Sequence, residues 1–212
     1  MKDLITIWVK PVEVFEQKPA VWIPFLGVIV VALIAVMIAG PVTFQIALER
    51  AQEAMAKAGK EFEGFTYNRF LATTLIATLI IVPVKILLQG LVYNIFMPLF
   101  GGVGEYTYGV LVATFASWIS GIGTFLKSIL IRVTQTPQIH FDLSVFLPKS
   151  MEMTYLYKVL VHVDLFTLWA LVVSSVGLSV LYQVERKKTY GFVFGVWILY
   201  ILIFSLIPGG KA

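Results

Sequence analysis

Five stretches of this chain are too long and too apolar to be core helices of a water-soluble domain. They run from about Val21 to Leu48, Phe70 to Leu99, Tyr108 to Val133, Leu156 to Tyr182 and Tyr190 to Ile207. Each is near or above the roughly 20 residues that a helix needs to cross a hydrocarbon core about 30 Å thick. Within lipid a backbone must satisfy its own hydrogen bonds, so such stretches cross as helices. Composition agrees. Of 212 residues, 59% are apolar and only 13% charged, about half the charged share of a soluble domain. A chain this size cannot hide so much apolar surface from water, and lipid must cover the rest. The expectation is an all-α, multi-pass membrane protein with five transmembrane helices, whose first partner is the lipid bilayer.

The segments between the spans set the organisation. Residues 1–18 read as a short N-terminal amphipathic, interfacial helix. Leu4, Ile7, Trp8, Val12 and Phe15 recur at helical spacing, while Asp3, Lys10, Glu13 and Glu16 fall mostly elsewhere; such a helix lies flat among headgroups. The same charges interrupt any signal-peptide core. Residues 19–212 form the five-span domain. Gly40-Pro41 predicts a kink in the first span. Glu53–Lys57 and Lys57–Glu61, each four residues apart, support a helix that continues beyond the membrane until Gly59. Glycines mark the turn Gly101-Gly102-Val103-Gly104 before the third span. Positive charges are nearly balanced across the two sides, so they do not set the orientation.

Ionisable residues inside spans cost about 2.5–3.5 kcal/mol each on insertion scales, so each needs a reason. Lys85, Lys127, His162 and Asp164 stand out. Counted from the span ends, Lys127 and Asp164 fall at similar depths on neighbouring antiparallel helices. They read either as a structural pair that pins the register or as part of an ion or proton path. Lys85 and Gln89, four residues apart, form a polar stripe beside Pro83. Small residues form seams for close helix approach: Ala113, Ser117, Ser120, Gly121, Thr124 and Ser128 on the third span, and Ser174, Ser175 and Gly177 on the fourth. On the fifth, Gly191 and Gly195 make a GxxxG.

No catalytic signature appears. GxSxG, P-loop and paired-carboxylate patterns are missing from the sequence. Its two histidines, His140 and His162, lack metal-ligand spacing, and it has no cysteine. The expectation is no enzyme activity, no metal and no cofactor. Nucleic acid is not a partner, because no basic patch alternates with aromatics on a soluble face.

One pattern is more specific. Val163-Asp164-Leu165-Phe166-Thr167-Leu168-Trp169, then Val176-Gly177-Leu178 and a short basic turn, resembles the end of the Yip domain. Pro11-Val12-Glu13-Val14-Phe15 with Lys18-Pro19 is similar to the opening of that family of Ypt/Rab-interacting membrane proteins. Gly101-Gly102-Val103-Gly104-Glu105-Tyr106 is similar to its glycine turn. The resemblance, in its prokaryotic form, implies a five-helix bundle with a cytoplasmic N-terminus. Eukaryotic relatives bind Rab-type GTPases, so a GTPase partner follows by analogy alone. The segment before the first span is short, and the Asp-Leu-Tyr-Gly-Pro motif of those relatives reads Phe100-Gly101-Gly102 here. The expected function is a non-catalytic scaffold or adaptor in a prokaryotic cell membrane, associating with itself or another membrane protein. The alternatives are a small transporter or channel component using Lys85, Gln89, Lys127 and Asp164, and an intramembrane enzyme.

Overall fold

The computed structural model describes residues 2–59, 64, 66–136, 139–151 and 154–206. Among these every regular element is a helix. Two short helices, α1 (Lys2–Thr6) and α2 (Pro11–Glu16), precede α3 (Trp22–Lys57), α4 (Tyr67–Phe96) and α5 (Tyr106–Thr134). A linker with two 3-10 turns leads to α6 (Tyr155–Leu160), α7 (Leu165–Tyr182) and α8 (Arg186–Ser205). Five of these helices, α3, α4, α5, α7 and α8, are long and apolar enough to cross a membrane.

The first span continues past the membrane as expected: α3 has 36 residues, or about 54 Å at 1.5 Å per residue. Pro41 sits inside it, and the Thr43 hydroxyl donates to the Ala39 and Gly40 carbonyls. Beyond its end, Gly59 has a positive φ. The expected Glu53–Lys57 contact does not form; the ion pairs among the described residues are Lys10–Glu13 and His140–Asp142. The Lys57–Glu61 contact falls on Glu61, outside the described residues.

The fourth span differs from expectation. It does not run unbroken from Leu156. The short helix α6 stops at Leu160, and α7 begins afresh at Leu165 with Asp164 as its N-cap. The Asp164 carboxylate accepts from the Thr167 backbone N–H at 2.9 Å and from the Thr167 hydroxyl. A capped start satisfies orphan N–H groups that a continuous helix would not have. The spanning part is therefore the 18 residues of α7.

Contacts divide the chain into two compact units, and α3, α4 and α5 each contribute a segment to both. One comprises residues 1–28, 85–120 and 140–212. In it the N-terminal segment is two helices rather than one, and its apolar side faces protein. Ile7, Val14 and Phe15 are almost completely buried. Phe15 meets Phe115 edge-on at 5.6 Å, Trp8 meets Phe166 at 6.3 Å, and the Trp118 indole donates to the Leu4 carbonyl at 3.0 Å. Side chains expected to rest among headgroups thus pack on α5 and α7.

Glycine sets the close approaches in this unit. A Cβ on Gly177 would come within 2.8 Å of Phe15 and of Val112, and one on Gly90 would meet the backbone of Val110 at 2.8 Å. The glycine turn is closed by Tyr182, which is fully buried. Its hydroxyl donates to the Glu105 carbonyl at 3.1 Å, and its own carbonyl accepts from Val103 N–H at 3.0 Å. Gly101 takes the left-handed conformation there, which glycine adopts without a Cβ penalty.

The other unit comprises residues 29–84 and 121–139. Phe44 packs against Tyr67 and Phe70, each at 5.5 Å between ring centroids. A Cβ on Gly40 would sit 3.2 Å from the Tyr67 hydroxyl.

Candidate functional site

The polar residues singled out from the sequence have distinct fates. Lys85, Gln89, His162 and Asp164 belong to the first unit and Lys127 to the second. Asp164 caps α7, so the depth count that matched it to Lys127 loses its premise: the helix carrying it does not start at Leu156. Gln89 donates to the Tyr93 hydroxyl at 2.6 Å. His162 is held edge-on between Tyr200 and Phe204 of α8, at 6.1 and 6.3 Å. Lys85 is exposed on α4 and makes no hydrogen bond or ion pair among the described residues. Lys127 is half-buried and likewise lacks such a partner.

The linker contains one cluster that composition alone does not reveal. His140 Nδ1 lies 3.3 Å from Asp142 Oδ2 and 3.2 Å from Ser144 Oγ. Ser144 also bonds the Asp142 carboxylate through its hydroxyl and its N–H. Both partners of the imidazole share one nitrogen, whereas a nucleophilic triad needs the serine and the carboxylate on opposite nitrogens. The cluster instead caps the 3-10 turn Leu143–Phe146. Leu143 N–H donates to the Val163 carbonyl at 3.0 Å, which ties this turn to the start of α7. Among the described residues no three His, Asp or Glu side chains gather as metal ligands.

Of the four glycines expected to serve helix packing, Gly177 does so tightly. Gly121 has its nearest neighbour, Val31, at 4.0 Å from a built Cβ. Gly191 and Gly195 have nothing within 4 Å. Their helix, α8, buries Thr189, Val193, Ile201 and Ser205, which recur at multiples of four. The opposite face carries Gly191, Gly195, Leu199 and Ile203, the last two 60% and 63% exposed. An i,i+4 ladder of this kind forms one straight ridge-and-groove track along a helix. The GxxxG was legible in the sequence; that it faces outward required the fold.

The second unit holds a cavity of about 470 Å³ between α3, α4 and α5. Ala32, Ala35, Ala39 and Gly40 line one wall, Thr74 and Thr78 another, and Lys127 and Ser128 a third. The Thr74 and Thr78 hydroxyls donate to the carbonyls four residues back, each at 2.8 Å. Ser128 donates to the Phe125 carbonyl at 2.7 Å. These hydroxyls are spent on their own helices, so the lining is almost wholly apolar. Lys127 is the charged exception among the lining residues.

Comparison with known proteins agrees with the architecture. The chain is similar to the membrane protein YknW of Bacillus subtilis (strain 168), at 25% identity over 206 residues covering 93% of this chain and 84% of that protein. No family model and no solved structure matches it. With five apolar helices of spanning length, the protein is a multi-pass integral membrane protein.

Proposed function

We propose that this membrane protein is a non-catalytic scaffold or adaptor, of Yip type and seated in a prokaryotic cell membrane. It associates through its spans with a second copy or another membrane protein. The observation that carries this reading is the open glycine face of α8. Inside a bilayer, apolar side chains gain little by leaving lipid, so helices associate where small residues let backbones approach. Gly191 and Gly195 offer that approach and meet nothing in their own chain. A track that uses the same face on both partners suits a two-fold dimer, in which one patch is complementary to itself.

Lys85 gives independent support. It lies near the middle of the second span, about 22 Å along the axis from Phe100 and 27 Å from Tyr67. An exposed lysine within a span carries an insertion cost. A neighbouring protein's carboxylate would offset the cost of the charge.

Self-association of the protein in lipid nanodiscs or by energy transfer in liposomes tests the reading. Dimers should form with the unaltered chain, and Gly195→Leu should weaken them about tenfold while leaving a folded, monodisperse monomer. A monomer that carries ions or solutes across proteoliposome membranes, with flux abolished by Lys85→Gln, would contradict it.

A further inference from the structure

We propose that the cavity of the second unit is a binding site for one anionic phospholipid, with an acyl chain between α3, α4 and α5 and the phosphate met by Lys127. Shape decides the class of occupant. On α3 the lining extends from Ala32 to Thr43, about 16 Å at 1.5 Å per residue. The whole empty space, out to the cavity's open side, is about 980 Å³, which over that length is a mean section of at most roughly 60 Å². A helix with its side chains is about 10–12 Å wide and needs on the order of 80–110 Å². A polymethylene chain, bounded by carbon contacts of about 3.5–4 Å, needs about 20 Å². The cavity's section is less than a helix with its side chains fills and leaves room for an acyl chain.

Chemistry agrees with shape. Thr43, Thr74, Thr78 and Ser128 point their donors at carbonyls of their own helices. They leave methyl and methylene groups for an occupant. A polar solute would find almost nothing to bond, whereas a hydrocarbon chain loses nothing on entering.

Charge then selects the headgroup. Lys127 is half-buried in the lining with no hydrogen bond or ion pair among the described residues. A lysine facing lipid without an anion carries an insertion cost. Lys127 precedes the exposed Arg132 by about 7–8 Å along α5, so its flexible stem can reach the level of the phosphates. A lipid phosphate placed there would meet the Lys127 ammonium, while a zwitterionic headgroup would cancel much of that attraction with its own cation.

Native mass spectrometry of the full chain, released from detergent after titration with phosphatidylglycerol or phosphatidylcholine, tests the site. One phosphatidylglycerol should be retained per chain, about tenfold more tightly than phosphatidylcholine. Lys127→Gln should bring the two lipids to the same weak level, and Lys127→Arg should restore the preference. Ala39→Leu, which fills the cavity, should weaken retention of both. Size-exclusion profiles identify any variant that fails to fold, and the two-lipid comparison on the unaltered chain stands without the variants. Equal retention of the two lipids, or a preference for phosphatidylglycerol that survives Lys127→Gln, would overturn the proposal. So would a cross-link from a cysteine placed at Thr78 to a protein helix. A failure of α8 pairing would leave this result untouched.

Discussion

At Asp164 a single carboxylate decides where a helix begins. It accepts two hydrogen bonds from Thr167 and satisfies donors that the first turn of α7 would otherwise leave bare. Asp164→Ala should therefore destabilise the protein by about 1 kcal/mol, and Asp164→Asn, which caps as well, should be nearly neutral. Thermal unfolding in detergent, followed by circular dichroism, separates the two. An ion-pair role would predict the opposite for Asn, since removing the charge would cost as much as removing the side chain. Tyr182 is the second fixed point. Its hydroxyl holds the Glu105 carbonyl in the glycine turn, so Tyr182→Phe should cost about 1 kcal/mol in the same assay. In a hydropathy profile Asp164 stands out as an expensive charge in a span. Its alternative identity was present in the residues: an aspartate three positions before Thr167, at the head of an apolar run, is also an N-cap signal.

At the scale of elements, the long spans were legible and the breaks were not. The helices α3, α4, α5 and α8 contain the apolar stretches, and a glycine or proline follows each within four residues of its C-terminal end. Hydropathy makes the fourth span too long because Tyr155 to Val163 is apolar enough to extend it, and no glycine or proline separates it from α7. Hydropathy does not register a cap. The N-terminal segment shows a related limit of pattern reading. Leu4, Ile7, Trp8 and Phe15 form the same amphipathic stripe whether they face headgroups or helices; burial of Ile7, Val14 and Phe15 against α5 and α7 comes from tertiary packing alone. The packing glycines divide in the same way. Gly177→Ala pushes a methyl against Phe15 and Val112 and should cost about 1–3 kcal/mol. Gly191→Ala, which meets open space, should change the stability of the monomer by less than about 0.5 kcal/mol. Comparing the unfolding temperatures of the two variants checks both values.

For the whole molecule, membrane residence was set by composition, since no arrangement of so apolar a chain could cover itself. The placement of its polar groups was not. Lys85, Gln89, Lys127 and Asp164 look alike in a hydropathy profile. In the structure one is exposed, one bonds a tyrosine, one lines a cavity and one caps a helix. The glycine track on α8 lies opposite the face that buries Val193 and Ile201, and it is the face on which the proposed partner helix would dock. The chain has no cysteine, so a single one can be introduced on either face without background. Leu199→Cys lies on the exposed track and Ile201→Cys on the buried face. On mild oxidation in native membranes, the first should give a disulfide-linked dimer and the second should stay monomeric. Monomer from both, with no larger cross-linked species, would contradict self-association through α8.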